Sequence, residues 1–73
     1  MKYYQFTVVV EKDDEENFLA ICPALQGCYT EGSSKDEAMD MIQDAIRLHI
    51  EDRLDRNEPL HEEVFTTQLK IAV

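Results

Sequence analysis

Few residues in this 73-residue sequence could take part in covalent chemistry. Serine occurs only at positions 33 and 34, and the two glycines stand alone, so no phosphate-binding loop is present. Cys28 and His49 are the one conceivable pair of nucleophile and base. No basic residue lies near Cys28 in the sequence to lower its pKa, and His49 falls on the apolar stripe of a predicted helix. We therefore expect His49 to be packed rather than catalytic, and we predict that the protein is not an enzyme.

Possible metal ligands are equally sparse. The cysteines at 22 and 28 and the histidines at 49 and 61 do not have the spacing of a zinc site. The acidic run at 13–16 lacks the fixed ligand spacing and the glycine of a calcium loop. The sequence therefore predicts neither a metal nor a cofactor.

The charge balance narrows the class of partner. Sixteen acidic residues stand against seven basic ones, which gives a formal net charge of −9. Such a chain repels the phosphates of nucleic acid, so direct binding to DNA or RNA is not expected. The same charge favours a basic protein partner through long-range steering. The alternative is that the charge simply keeps a small protein in solution.

The chain shows no sign of a membrane or secretory destination. No apolar stretch approaches the roughly 20 residues that a membrane-spanning helix needs. Residues 1–5 contain no signal-peptide core, so we predict a cytoplasmic protein without membrane contact. In that compartment, Cys22 and Cys28 are expected to pack as small apolar residues rather than form a disulfide.

Hydrophobic periodicity predicts four strands and one helix. Alternating apolar and polar residues, β-branched and aromatic types, and turn residues between them indicate strands at 3–11, 18–22, 28–31 and 66–73. Ser34 and Glu37 fit a capping box, which opens a helix expected at about 34–56. Asn57 and Pro59 end it.

This order predicts an α+β fold of the type β-β-β-α-β. The first three strands form an antiparallel meander, and the long helix covers one face of the sheet. A right-handed crossover then places the last strand parallel to the first, which completes a four-stranded mixed sheet.

A single helix covers one face of a sheet, so the opposite face must be polar or must meet another molecule. The alternation of the first two strands turns Tyr3, Val9, Leu19 and Ile21 away from the helix-facing side chains. We therefore predict that these residues form an interface in a homodimer or higher homo-oligomer. The alternative is that they are scattered surface residues.

One combination of motifs resembles a known family. The second strand and its turn read Phe-x-Ala-x-x-Pro-x-Leu-x-Gly-Cys from Phe18 to Cys28, and the helix opens with a capping serine before Glu37-Ala38. Asp44-Ala45-Ile46 stands inside the helix where a Glu-Ala-Ile-like triplet is typical. Together these features resemble the HicB-like antitoxins of bacteria and archaea.

This resemblance implies a partial ribonuclease H fold without nuclease activity. Nucleases of that fold hold two metal ions with acids on the first strand, the first helix and the fourth strand. Here Glu11 lies at the far end of the first predicted strand, and the fourth offers Gln68 and Lys70. A metal cluster cannot be assembled from these strands, so nuclease activity is not expected. Because Val73 lies inside the last predicted strand, we expect a single HicB-like domain over 1–73, without a separate DNA-binding domain.

The resemblance also implies a partner similar to the HicA toxin, a small basic protein that cleaves RNA. The antitoxin would cover the RNA-facing surface of that toxin. From their exposure and charge, the predicted contact residues are Asp13, Asp14, Glu15, Glu16 and Glu31. The alternative is a stand-alone oligomeric scaffold or regulatory protein without a toxin.

Overall fold

The computed structural model describes residues 2–73 and shows an α+β fold. Its elements are β1 (Val9–Lys12), β2 (Phe18–Ile21), β3 (Tyr29–Gly32) and α1 (Lys35–Asp55). The strands form an antiparallel sheet in the order β1-β2-β3. The predicted meander and the long helix that follows it are confirmed.

The first strand is shorter than the predicted 3–11 because β2, the strand that pairs with it, ends at Ile21. Val9 lies opposite Ile21 in the β1–β2 register, and Lys12 lies opposite Phe18. Continued by two residues, the same register would place Thr7 opposite Pro23. Proline has no N–H to donate to a strand ladder, and the turn begins at this point. The residues before Val9 therefore have no neighbouring strand on this side.

The helix begins where the sequence predicts, although its cap differs in one detail. Ser34 is the N-cap, and its Oγ accepts a hydrogen bond from the Glu37 N–H at 3.1 Å. The Glu37 carboxylate reaches one residue further back than a capping box requires. It accepts from the backbone N–H and the hydroxyl of Ser33, both at 3.2 Å. Both serines thus help to fix the first turn of the helix.

The hydrophobic core lies between α1 and one face of the sheet. Its fully buried side chains are apolar and come from β2, from the turn after it and from the helix: Ala20, Cys22, Leu25, Cys28, Ala38 and Ile42. Half-buried side chains of the first segment pack around them, namely Phe6, Val8 and Val10. The helix-facing side of the sheet is therefore the one that the alternation predicts.

The helix approaches β3 closely at one point. A Cβ atom on Gly32 would lie 2.8 Å from the backbone nitrogen of Ala38. Next to it, the Thr30 hydroxyl donates to the Ala38 carbonyl at 3.0 Å. The absence of a side chain at position 32 thus allows the first turn of α1 to rest on the sheet.

The predicted fourth strand is not formed. Residues 59–73 contain neither helix nor strand, and the side chains of Val64 and Leu69 are exposed. The Thr7 N–H, which a parallel strand could bind with a backbone carbonyl, donates instead to the Glu63 carboxylate at 2.9 Å. The sheet therefore has three strands rather than four, and the partial ribonuclease H architecture is not confirmed.

Candidate protein-binding surface

The face of the sheet opposite α1 is built from two rows of cross-strand neighbours. In the first row, Ile21 of β2 lies between Val9 of β1 and Tyr29 of β3. In the second row, which is nearer the β1–β2 hairpin, Leu19 lies between Glu11 and Glu31. Since side chains two residues apart on a strand share a face, these six form one surface. We call it the open face: Val9, Glu11, Leu19, Ile21, Tyr29 and Glu31.

The open face carries apolar side chains that no element within residues 2–73 buries fully. Tyr29 is 64% exposed and Val9 is 40% exposed. Leu19 and Ile21 in the middle strand are half-buried between their neighbours. The predicted grouping of Val9, Leu19 and Ile21 on the side away from the helix therefore agrees with the register.

Tyr3, the fourth residue predicted for that interface, lies elsewhere. It precedes β1 and is 85% exposed. It lines a cleft of about 540 Å³ between the N-terminal segment and the end of α1 with the chain that follows. Leu54 of α1 and Leu60 after the helix also line this cleft. Tyr3 is therefore not part of the open face.

Glu31 belongs to the same surface as the predicted apolar residues. The sequence predicts Glu31 as a partner contact and Leu19 as an oligomer contact, but these two residues lie directly opposite each other on β3 and β2. Glu11 and Tyr29 complete the surface and were not among the predicted site residues. The period-two alternation of β1 already places Glu11 on the side of Val9, so the sequence contained the signal for this residue.

The predicted acids of the hairpin loop differ in what they do. Asp13 has a structural role, because its Oδ1 accepts from the backbone N–H groups of Glu15 and Asn17, both at 2.9 Å. The Glu16 carboxylate lies 3.6 Å from the Lys12 ammonium, and Glu16 adopts a left-handed backbone with φ of 65°. Asp14 and Glu15 are exposed, and their carboxylates make no hydrogen bond or ion pair within the described chain. These two are the hairpin acids whose charge is most available to a partner.

The two cysteines are buried free thiols at either end of the turn after β2. Loss of solvation raises the pKa of both thiols above the ordinary value. Cys28 is 2% exposed, and its carbonyl accepts a hydrogen bond from the Cys22 N–H at 3.0 Å. A buried thiol with a raised pKa is a poor nucleophile, so this geometry gives no support to the Cys28 and His49 pair.

Residues 2–73 contain neither a candidate metal cluster nor a membrane-spanning helix. No three side chains of histidine, cysteine, aspartate or glutamate lie close enough together to hold a metal ion in this part of the chain. No helix in the same range has both the length and the apolar content needed to cross a membrane.

The fold and this surface define a small α+β protein with one face of its sheet covered by a helix and the other left open. Comparison with known proteins then identifies the family. Residues 6–71 match the family model described as the HicB-like antitoxin of bacterial toxin-antitoxin systems. The chain belongs to this HicB-like antitoxin family. Membership supports an antitoxin role and implies a toxin as the partner.

Curated relatives agree with this assignment. The chain is 37% identical over 71 residues to a UPF0150 protein of Synechocystis sp.. This alignment covers 96% of this chain and 90% of the relative. The chain is also 39% identical over 56 residues to a UPF0150 protein of Thermoplasma acidophilum. This second alignment covers 77% of this chain and 81% of that relative. No solved structure gave a significant match.

Proposed function

We propose that this chain is an antitoxin that neutralises a small basic, mRNA-cleaving toxin of the HicA type by forming a stable complex with it. The observation that carries the proposal is the family match over residues 6–71. In this complex the chain would act by covering the RNA-facing surface of the toxin. It would use no cofactor and carry out no chemistry of its own.

The charge of the chain supports this kind of partner. A formal net charge of −9 attracts a basic protein and speeds the encounter through electrostatic steering. The same charge opposes direct contact with RNA or DNA, so inhibition would proceed through the toxin and not through its substrate. We place this complex in the cytoplasm, where mRNA is available to the toxin.

A growth-rescue experiment tests the proposal. The reading frame beside the gene would be expressed alone and together with this chain, with growth and co-purification as the two readouts. We expect arrest of growth by the basic product alone, rescue by co-expression, and recovery of both proteins in one complex. Rescue without a physical complex, or a neighbouring product that does not affect growth, would contradict the proposal.

A stand-alone homo-oligomer is the second candidate, favoured by the exposed C-terminal segment. Residues 66–73 alternate apolar and polar side chains, and Leu69 and Ile71 are both exposed. Strand β1 is at the edge of the sheet and pairs on one side with β2 alone. An extended segment of a second copy could add to that edge by backbone hydrogen bonds. Sedimentation velocity at micromolar concentration tests this candidate, which predicts a dimer that is lost in Ile71→Pro.

A further inference from the structure

We propose that the open face is the docking surface for the basic partner and that Glu11 and Glu31 prevent the same face from pairing with a second copy. This inference rests on the proposed function, because it locates where the toxin would bind. It also reassigns Val9, Leu19 and Ile21 from self-association to partner binding.

The two carboxylates of the open face lie on either side of an apolar side chain. Neighbouring strands of a sheet lie about 4.8 Å apart, so β1 and β3 are separated by about 10 Å across β2. Glu11 and Glu31 occupy the two outer strands of one row, and Leu19 lies between them. The row thus presents an apolar side chain flanked by two carboxylates. A partner with basic side chains on either side of an apolar stripe matches this pattern.

The other row of the open face is apolar and consists of Val9, Ile21 and Tyr29. Tyr29 is 64% exposed and Val9 is 40% exposed, so Tyr29 is the more accessible of these two apolar side chains. Tyrosine is also among the residue types that contribute most at interfaces. Together with Val9 and Ile21, Tyr29 forms a continuous strip across all three strands. The partner therefore meets an apolar strip next to an acidic row, rather than a purely charged surface.

The acidic row disfavours a second copy of the chain as the occupant of the open face. Two open faces packed against each other would bring together two copies of Glu11 and two of Glu31. Like charges across an interface weaken association, and the −9 charge on each chain adds to the repulsion. A basic partner would convert each of these carboxylates into an attractive contact.

The size of the face leads to the same conclusion. Three strands of four residues cover roughly 200 Å², whereas a stable interface buries about 800 Å² on each partner. A complex must therefore extend beyond the open face, and the hairpin loop adjoins its acidic row. For a second copy, this extension would add the repulsion of Asp14 and Glu15. For a basic partner, it would add further attraction.

The test uses the basic product of the neighbouring reading frame as the probe. Its affinity would be measured by titration calorimetry for the wild type, for the double variant Glu11→Gln with Glu31→Gln, and for Tyr29→Ser. The matched control is Asp40→Asn with Glu51→Gln, which removes the same charge from exposed positions of α1. We expect each change on the open face to weaken binding by about tenfold or more, and the control to change it by less than about threefold. Circular dichroism would verify that every variant is folded.

The outcomes separate this inference from the proposed function. If the wild type binds the probe and the open-face variants bind it equally well, the docking assignment is wrong while the antitoxin proposal stands. If the wild type fails to bind the probe, the antitoxin proposal is wrong. A wild-type dimer in sedimentation velocity that Tyr29→Ser dissociates would overturn the inference in favour of a second copy.

A second probe tests the chemistry of the face without the toxin. It is a synthetic amphipathic helix with a leucine stripe flanked by lysines, whose width of about 10–12 Å matches the spacing of the two glutamates. We expect its addition to shift the backbone amide resonances of Glu11, Leu19 and Glu31 more than those of Asp40 and Glu51. Equal shifts at both sets would show that the face attracts cations without selecting an apolar stripe, and would overturn the inference.

Discussion

Thr7 and Glu63 are joined by two hydrogen bonds, although 56 positions separate them in the sequence. The Thr7 hydroxyl donates to one carboxylate oxygen of Glu63 at 2.5 Å, and the Thr7 N–H donates to the other at 2.9 Å. This contact ties the chain that follows the helix to the segment that leads into β1. It occupies a backbone donor that a fourth strand would otherwise use.

The contact predicts a dependence of stability on acidity. The hydroxyl and then the N–H of Thr7 lower the pKa of the Glu63 carboxyl below its ordinary value. A lowered pKa in the folded state stabilises the fold above the pKa of the unfolded chain, and this contribution is lost as the pH falls through the folded value. We therefore expect the difference in unfolding free energy between wild type and Glu63→Gln to be present at pH 7 and to shrink as the pH falls below the ordinary glutamate pKa of 4.5.

Urea denaturation between pH 3 and pH 7 measures this difference. Thr7→Val should reduce the acid dependence, because it removes the hydroxyl donor and keeps the N–H. Thr66→Val is the matched control, since the hydroxyl of Thr66 makes no hydrogen bond among residues 2–73. A Glu63→Gln variant with the same pH profile as the wild type would contradict the prediction.

The two glycines should respond differently to substitution. In Gly32→Ala the new Cβ would press on the Ala38 backbone nitrogen at 2.8 Å, and we expect a loss of about 1–3 kcal/mol through overpacking. Gly27 has open space around it but a φ of 80°, so Gly27→Ala should cost about 1–2 kcal/mol through backbone strain alone.

Asparagine distinguishes the two causes. It tolerates a positive φ better than alanine, so Gly27→Asn should be less destabilising than Gly27→Ala. At position 32 the order should reverse, because asparagine is larger than alanine. Midpoints of urea unfolding measure both pairs. The same order of stability at both positions would show that the crowding at Gly32 is not the cause.

Local sequence signals predicted the helix and two of the strands well. The capping serine and the apolar stripe placed the helix at about 34–56, and it is observed at Lys35–Asp55. These signals depend on residues within one or two turns of each other. The strands at 18–22 and 28–31 likewise lie within a residue of β2 and β3.

The remaining differences arise from contacts between distant parts of the chain. The late start of β1 depends on Pro23, which the register sets opposite Thr7, and alternation within 3–11 alone does not show this. The alternation in 66–73 predicts a strand, but a strand also needs a neighbour, and Thr7 is already bonded to Glu63. The position of Glu31 directly opposite Leu19 depends on the register between β2 and β3, which neither strand shows alone.

The helix cap should make a measurable contribution to stability. Ser34 Oγ accepts from the Glu37 N–H at 3.1 Å, so Ser34→Ala leaves a helix donor without its partner. We expect a loss of about 0.5–2 kcal/mol in urea unfolding. Ser34→Asp should retain most of the stability, because a carboxylate accepts the same bond and suits the positive end of the helix dipole. Equal loss in both variants would argue against capping as the cause.

The buried thiols lead to a prediction about reactivity. Because Cys22 and Cys28 are buried and their pKa values are raised, little thiolate is present at pH 7–8. We expect a thiol reagent such as Ellman's to react slowly with the folded protein and rapidly with both cysteines after unfolding in urea. Rapid reaction of Cys28 in the folded state of a Cys22→Ala variant would indicate an accessible thiolate and would restore Cys28 as a candidate nucleophile.

The same thiols predict a loss of stability in alkali. A pKa raised in the folded state means that the unfolded chain releases its thiol protons first, at about its ordinary value of 9.0. The thiols therefore contribute their full stabilisation below pH 9, and it declines as the pH rises through the folded values. Urea unfolding at pH 7 to 10 should show this slope in the wild type. Cys28→Ala removes one of the two groups, so its slope should be shallower, and an unchanged slope would assign the alkaline effect to other residues.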